Sequence, residues 1–206
     1  MLRLWGRTSS INVRKVLWTL QELGVPFERI DAGLAYGHNH TPDYLAKNPN
    51  ALVPLLEDGD FTLWESNAIV RYLCARHAAA TLYPEDLRTR FDAERWMDWQ
   101  QTTLNRAGGP AFIQWIRTPA EQRQPAVIAQ SVAATEPLLQ MLDAHLATRP
   151  WMAGKHFTVA DIPIGCEIHR WWGLPQPRPT LPNLARWYAA VQARPATRGV
   201  LDLPLA

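Results

Sequence analysis

The spacing of apolar positions changes repeatedly in the first third of the chain, which predicts alternating strands and helices. The apolar run LRLWG predicts a first strand near the amino terminus. Residues 11–23 then place apolar side chains three and four positions apart, as one face of a helix does, and Gly24 predicts the end of that helix. VPFERID predicts a second strand, and TPDYLAKNP a short helix that begins near Thr41. LVPLLEDGDFTLW predicts two strands joined by a tight turn, and a further helix follows from Ser66.

This order, βαβαββα, predicts an α/β unit with a mixed sheet and helices packed against it. The strand patterns then disappear, and Ala, Leu, Gln, Arg and Trp at helical spacing predict a second unit that is entirely helical. We expect its helices over residues 89–107, 120–147, 158–172 and 181–194. The predicted organisation is a first domain over residues 1–79, a linker over 80–87 and a helical domain over 88–206.

Composition and charge exclude several classes of protein. The net charge of +2 is too small to favour a nucleic-acid partner. Cys74 and Cys166 are far apart and belong to no Cys/His cluster, so neither a disulfide framework nor a metal site is expected. The amino terminus lacks the apolar core of a signal peptide, and no apolar run approaches the roughly 20 residues of a membrane helix. We therefore expect a cytoplasmic protein without a membrane partner.

Glu65 and Ser66 stand between the last predicted strand and the helix that follows it. A helix N-terminus presents unpaired N–H groups and partial positive charge, so a free carboxylate can bind there, and a serine hydroxyl adds a donor. The negative charge of Glu65 suits an ammonium group. The pair is therefore a candidate site for the carboxylate and amine of an amino-acid moiety. The alternative is that Ser66 caps its helix and Glu65 complements the helix dipole.

Val53-Pro54 follows NPNAL and begins a strand, which is an unusual position for proline because a strand interior needs the N–H. A cis bond there would turn the Val53 backbone outward, where its N–H and C=O can pair with an extended peptide. A peptide with a free amino-acid end would then span Val53 and the Glu65–Ser66 pair. The alternative is an ordinary proline of an edge strand.

With these motifs together, the chain resembles the cytosolic glutathione S-transferases, in particular the serine-using bacterial members of the theta-like and nu-like branches. The resemblance covers essentially the whole chain, through NPNALVPLLEDGDFTLWESNAIVRYL in the first unit and FTVADI in the second. It implies a thioredoxin-like first domain, a cis proline beside Val53 that binds the cysteinyl backbone of glutathione, and a γ-glutamyl site at Glu65 and Ser66. FTVADI also has a local explanation, because Thr158 and Asp161 have the spacing of a capping box.

The thiol of glutathione must be activated, because a free thiol with a pKa of about 8.5 is only slightly ionised at neutral pH. RTSSINVRK lies where the first strand meets the first helix, the place from which a hydrogen bond should come. Serine-using branches carry Ser-x-x-x-Arg/Lys, which Ser10 and Arg14 match. The disulfide-reducing branch carries Thr-x-Asn followed by Lys, and Ser10, Asn12 and Lys15 resemble that pattern as well. The resemblance therefore implies Ser10 as the catalytic hydroxyl and Asn12 as a weaker or loop-shaping contact.

Ser9, and beyond it Thr8, lie close enough for a small shift of the loop to substitute either for Ser10. Another interpretation is that all three hydroxyls only compete to cap the helix. The loop contains neither tyrosine nor cysteine, which argues against the classes that use those residues.

The glycine end of glutathione should meet a polar residue of YGHNHTPDYL, and the resemblance implies Asn39 with His40 as its neighbour. Leu52 stands where some classes carry a lysine, so one charge contact is expected to be missing. His38 and His40 alternate as metal ligands can, but no carboxylate or cysteine accompanies them, and no metal is expected.

The electrophile should bind against the helical unit, along AERWMDWQQTTLNRAGGPAFIQW. Trp96, Trp99 and Trp115 are candidates to line that pocket, and Arg95 and Arg106 are candidates to meet an anionic substrate. The alternative places the tryptophans in the core and the arginines on solvated faces.

The function implied by the resemblance is conjugation of the glutathione thiolate to a small hydrophobic electrophile by a homodimeric enzyme. A dimer would also cover the last helix of the first domain. Two other hypotheses remain open on the same fold: a glutathione-dependent disulfide reductase and a non-catalytic binding or regulatory protein.

Overall fold

A computed structural model of the chain describes residues 1–77 and 80–206, and its first unit is a four-stranded mixed sheet. The strands are β1 (Leu2–Trp5), β2 (Phe27–Ile30), β3 (Leu55–Asp58) and β4 (Phe61–Trp64), in the spatial order β2-β1-β3-β4. β1 pairs in parallel with β2 and antiparallel with β3, and β3 pairs antiparallel with β4. The helices of this unit are α1 (Ile11–Leu23), α2 (Pro42–Lys47) and α3 (Ser66–Arg76). The predicted βαβαββα order is confirmed.

The second unit is helical, and residues 80–206 contain no strand. Its helices are α4 (Leu87–Trp99), α5 (Asn105–Phe112), α6 (Pro125–Leu146), α7 (Asp161–Trp172) and α8 (Pro182–Gln192). In the two described ranges, no helix combines the length and the apolar character that crossing a membrane requires. The domain boundary expected after residue 79 falls on residues 78–79, outside the described residues, and stays a prediction.

The helix expected to end at residue 107 in fact continues to residue 117. Wide turns of the π type, Gln100–Leu104 and Ile113–Arg117, stand before and after α5, and the Gly108-Gly109-Pro110 sequence is helical. Packing against α7 explains why these helix-breaking residues are tolerated, because a Cβ at Gly108 would lie only 3.2 Å from the Trp171 ring. Tertiary contact here outweighs local propensity.

Two predicted helix starts also lie too early along the chain. α6 begins at Pro125 and not at residue 120, because proline without an N–H suits the first helical turn, and a short 3-10 turn, Ala120–Gln122, precedes it. α7 begins at Asp161 and not at residue 158, because the preceding residues form its capping turn.

The capping turn of α7 fixes a buried carboxylate in the core. Asp161 accepts hydrogen bonds from the N–H groups of Thr158 (2.9 Å) and Met152 (3.0 Å) and from the indole of Trp187 (2.8 Å). Burial nevertheless raises the pKa of Asp161 to about 6. This turn has a structural role, as FTVADI predicts.

α1 occupies the centre of the molecule. Ser10 is its N-cap, Gly24 ends it in the left-handed region with a φ of 62°, and its apolar face is buried, including Val13, Val16 and Leu20. α1 packs against α3 of the first unit and α7 of the second. The first turn of α1 therefore lies where the two units meet.

Candidate functional site

Residues of the first turn of α1 line two separate cavities. One has a volume of about 100 Å³ and is here called the proline cavity, since Pro54 lines it together with Asn12, Val53, Glu65 and Ser66. Tertiary structure thus gathers predicted site residues from three distant segments. The other cavity has a volume of about 190 Å³, and Ser9 and Ser10 line it. It is called the arginine cavity because Arg7, Arg14, Arg117 and Arg170 are among its lining residues.

The Val53-Pro54 peptide bond is cis, as the family resemblance implies. Among the described residues, neither the N–H nor the C=O of Val53 has a hydrogen-bond partner. An extended peptide can therefore pair with this backbone as an added strand would.

Glu65 and Ser66 do not play the roles that the capping interpretation assigns to them. Glu65 is the N-cap of α3, and its side chain caps nothing. Its φ of 71° lies in the left-handed region, which non-glycine residues occupy mainly where the surrounding structure imposes it. The Glu65 side chain is exposed and makes no hydrogen bond or ion pair with the described residues. Its carboxylate is therefore available to a cationic group.

Ser66 is the first residue of α3 and is buried. Its hydroxyl donates to Oδ1 of Asn12 at 3.3 Å, so Ser66 does not cap the helix with its side chain. The first intrahelical bond joins the Ile69 N–H to the Glu65 carbonyl, which leaves the N–H groups of Ser66, Asn67 and Ala68 without helical partners. An exposed carboxylate of a ligand fits this helix end.

Three further polar residues, which the sequence did not single out, line the proline cavity. Asn48 donates to the Leu52 carbonyl at 2.8 Å and accepts from the Asn50 N–H at 3.1 Å, so these asparagines shape the loop before Val53. The sequence NPN at residues 48–50 was the signal from which these asparagines could have been found. Leu52 itself is 66% exposed and lines the cavity without offering a charge.

Gln101 is the contribution of the helical unit to the proline cavity. Its Oε1 accepts from Nζ of Lys15 at 3.0 Å, while Gln100 accepts from the same ammonium at 2.7 Å. Lys15 is fully buried, and burial lowers its pKa to about 8. The lysine that the Thr-x-Asn comparison noted therefore lies behind the cavity and holds Gln101 in place.

Asn39 and His40 line neither cavity. The Asn39 amide donates to the Ala51 carbonyl at 2.6 Å, and His40 is exposed. Asn39 thus supports the loop that leads to Val53. A direct contact of either residue with the glycine end of glutathione stays a prediction.

Ser10 both caps α1 and lines the arginine cavity. Its Oγ accepts from the Val13 N–H at 3.5 Å as the N-cap of α1, and the same residue lines the arginine cavity. Because a hydroxyl can accept and donate together, its hydrogen remains available to a ligand. A thiolate placed here would also gain from the partial positive charge of the α1 N-terminus. Ser9 lines the same cavity and remains the alternative.

The lining of the arginine cavity differs from the lining expected for the electrophile pocket along the helical unit. Trp96, Trp99 and Trp115 are absent from that lining, to which the segment contributes only Phe112 and Ile113. Trp96 packs against Trp99, with ring centroids 5.4 Å apart, so its ring belongs to the core.

Trp115 donates its indole N–H to Gln176 at 3.1 Å. Arg95 pairs with Asp92, and Arg106 is exposed without lining either cavity. The structure therefore favours the alternative that the sequence left open, with these tryptophans packed in or against the core and the two arginines on exposed faces.

Arg14 ties α1 to the end of the chain. Its guanidinium donates to the carbonyl groups of Thr8 (2.7 Å), Leu203 (3.3 Å) and Pro204 (2.7 Å). Next to it, His169 contacts the Tyr188 hydroxyl and the Leu203 carbonyl, each at 3.2 Å. Burial, followed by the charge of Arg14, lowers the pKa of His169 to about 4, so this imidazole is neutral at neutral pH.

Two other kinds of reactive group are a cysteine thiol and clusters of metal-ligating side chains. Cys166 lines the arginine cavity, but burial raises the pKa of its thiol to about 12. Within residues 1–77 and 80–206, no group of three or more His, Cys, Asp or Glu residues is arranged to hold a metal ion.

A thioredoxin-like sheet unit with a cis proline at a cavity, packed against a helical unit through α1, is the architecture of the glutathione-dependent transferases. Family models support this classification: Glutathione S-transferase, N-terminal domain, matches residues 1–75, and Glutathione S-transferase, C-terminal domain, matches residues 125–190. The chain belongs to the glutathione S-transferase family. The predicted family and fold class are confirmed.

Individual relatives agree over the full length. The chain is 45% identical over 207 residues to Glutathione S-transferase GstB of Escherichia coli strain K12, covering 100% of both chains. It is 32% identical to Glutathione S-transferase theta-3 of Mus musculus, covering 93% of this chain and 82% of that one. The theta class glutathione S-transferase from Xanthomonas axonopodis pv. citri, crystallised with glutathione bound, is 44% identical with a TM-score of 0.96, covering 100% of this chain and 99% of that one.

Proposed function

We propose that the protein is an enzyme that conjugates the glutathione thiolate to a small electrophile. The observation that carries this proposal is that the first turn of α1 lines both cavities, with Asn12 in the proline cavity and Ser10 in the arginine cavity. A peptide held in one cavity can therefore present its thiol to a second substrate in the other. Glutathione is bound in the theta class relative from Xanthomonas axonopodis pv. citri, which supports the same ligand here.

The polar groups of the proline cavity favour one direction for glutathione bound along it. Its γ-glutamyl carboxylate would accept from the Ser66 side of the α3 N-terminus, and its ammonium group would face the unpaired carboxylate of Glu65. Its cysteinyl backbone would pair with the free N–H and C=O of Val53. This direction carries the thiol from α3 toward the first turn of α1.

The chemistry proposed for Ser10 is stabilisation of the thiolate. The Ser10 hydroxyl donates to the sulfur, which favours the ionised form and releases the thiol proton to water. The sulfur then attacks the electrophilic carbon, a C–S bond forms, and the leaving group departs with its electron pair. Asn12 holds the Ser66 hydroxyl and so orders the amino-acid end of the site.

We also propose a cytoplasmic homodimer. α3 is already packed against α1 and contacts α4 through Asn67, whose amide donates to the Met97 carbonyl at 2.8 Å, so a partner is not needed to cover it. Support comes instead from large apolar side chains that stay exposed outside both cavities, namely Phe61, Leu87 and Phe91.

Calorimetric titration with glutathione, followed by assays with a chloronitrobenzene and with a small disulfide, tests the proposed activity. We expect binding and conjugation of the chloronitrobenzene. Turnover of the disulfide alone would replace the proposal with a disulfide reductase, and binding without either turnover would replace it with a non-catalytic protein. Absence of glutathione binding would overturn the proposal entirely.

A further inference from the structure

We propose that the electrophile carries a negative charge: the arginine cavity binds a small substrate with a carboxylate or another oxyanion close to its reactive carbon. This inference rests on the proposed function and names the substrate class of the same site. It departs from the hydrophobic electrophile expected from the family resemblance.

The charges around the cavity are unbalanced. Arg7, Arg14 and Arg117 form no ion pair with any Asp or Glu among the described residues. Arg170, by contrast, forms a buried ion pair with Glu167. The imidazole of His169 is neutral at neutral pH and therefore does not offset the excess of positive charge. A small cavity with this excess attracts anions.

Asp202 is the one carboxylate whose charge is felt by Arg14, and it is exposed to solvent. Arg14 also donates hydrogen bonds to three backbone carbonyls, so its role is to hold the end of the chain in place and to add positive charge. Arg7 and Arg117 are therefore the groups with donors left for a ligand.

Arg7 has no hydrogen-bond partner for its side chain among the described residues, and its Nε is buried. Its guanidinium fills the space above Gly33, where a Cβ would lie 2.6 Å from Nη1. The side chain is thus packed in place although its donors are unused. A buried donor without a partner costs stability, which an incoming anion would recover.

Arg117 lies close enough to Arg7 for its charge to lower the pKa of Arg7, after the larger effect of burial. Nε of Arg117 is also buried without a partner, and among the described residues its guanidinium donates only to the main-chain oxygen of Ala206, the last residue of the sequence. Two guanidinium groups that repel each other and have free donors suit one oxyanion between them.

Phe112 completes the arrangement. Its ring centroid lies 5.4 Å from the guanidinium of Arg117 and 5.1 Å from that of Arg170, and the ring lines the cavity. The cavity is small, with a volume of about 190 Å³. The cavity therefore suits a small acid with a leaving group, and Ser10 lines the same space.

Iodoacetate and iodoacetamide form a matched pair for the test, because they have the same size, leaving group and reaction with thiolates and differ in charge. In both reactions the glutathione sulfur forms a bond to the CH₂ carbon, iodide leaves with the bonding electrons, and the thiol proton goes to water. The quantity compared is the enzymatic kcat/KM divided by the uncatalysed rate constant of the same reagent. Cys166 lines the same cavity, and burial raises the pKa of its thiol, which should keep that thiol mostly unionised.

We expect a larger rate enhancement for iodoacetate than for iodoacetamide, and a loss of that preference at high salt. Arg7→Gln should lower kcat/KM for iodoacetate roughly ten- to a hundredfold, the scale of a hydrogen bond to a charged group, and change iodoacetamide little. Arg7→Lys should retain part of the preference because it keeps the charge. Arg117→Gln should act in the same direction.

Arg95→Gln and Arg106→Gln are matched controls, since both remove one exposed positive charge outside the cavity and should leave both rates unchanged. Equal enhancement of the two reagents by the wild-type protein would overturn the anionic substrate while the transferase function stands. Absence of enhancement for both reagents would overturn the transferase function as well. The comparison of the two reagents with the wild-type protein needs no variant, so it tests the inference even if Arg7→Gln folds poorly.

Discussion

Replacing Ser10 by alanine removes a hydroxyl with two positions in the structure. Its oxygen accepts from the Val13 N–H at the start of α1, and the residue lines the cavity where the glutathione sulfur is proposed to lie. We therefore expect Ser10→Ala to raise the pKa of the bound thiol and to slow conjugation, while glutathione affinity changes less. A smaller loss of stability should accompany these effects.

The expected size follows from the hydrogen bond that is lost. A bond to a charged group contributes about 1.5 to 3 kcal/mol, and 1.36 kcal/mol corresponds to one pKa unit, so the thiol pKa should rise by about one to two units. Below the wild-type thiol pKa, kcat/KM should fall roughly ten- to a hundredfold, and the difference should shrink as the pH rises and both thiols ionise. The capping bond at 3.5 Å is long, so the loss of stability should lie toward the lower end of about 0.5 to 2 kcal/mol.

A glycine variant separates the two effects. Glycine at an N-cap costs only a few tenths of a kcal/mol relative to serine, so Ser10→Gly should lose the thiolate contact while α1 stays nearly as stable. Ser10→Thr retains a hydroxyl and should retain most of the activity. Ser9→Ala is the matched control for the neighbouring hydroxyl.

The measurement follows the ultraviolet absorbance of the bound thiolate against pH in these variants, together with the pH profile of kcat/KM. Denaturant unfolding of the same preparations gives the stability change. A curve that moves in Ser9→Ala and not in Ser10→Ala would transfer the role to Ser9. If neither variant moves the curve, activation by a hydroxyl is wrong.

Three further predictions address other parts of the molecule. Ser66→Ala and Glu65→Ala should each weaken glutathione binding by about 1.5 to 3 kcal/mol in calorimetry, and unchanged affinity in both would contradict the proposed direction of binding. His169 has a folded-state pKa of about 4 against an ordinary 6.5, so the folded state binds fewer protons than the unfolded state in that interval. The contribution of His169 to stability should therefore fall as the pH is lowered from 6.5 to 4, while Asp161, with a pKa raised to about 6, contributes in the opposite direction. The difference in urea midpoint between wild type and His169→Asn isolates the His169 contribution and should change across this interval; equal pH dependence in both proteins would refute the assignment. Sedimentation should show a dimer of the 23.4 kDa chain at micromolar concentration, and a monomer would argue against the homodimer.

Local signals in the sequence identify most of the proposed glutathione site. Val53-Pro54 and Glu65–Ser66 stand out because proline before a strand and polar residues before a helix are locally unusual. The structure places them in one cavity, yet it makes Glu65 the helix cap and turns the Ser66 hydroxyl toward Asn12. This arrangement depends on a positive φ at Glu65 and on Asn12, which lies 54 residues from Ser66 in the sequence. The local spacing of residues encodes neither.

The sequence by itself determined the order of strands and helices, because periods of two and 3.6 residues and the residues of turns and caps act over a few neighbours. Tertiary structure alone decided how helix α5 passes through Gly108 to Pro110, since contact with Trp171 outweighs local propensity there. It also decided the chemistry of the arginine cavity. Arg7 and Arg117 are 110 positions apart and look like ordinary solvated arginines in the sequence. Only packing brings them to one cavity, where neither pairs with an Asp or Glu side chain of residues 1–77 or 80–206.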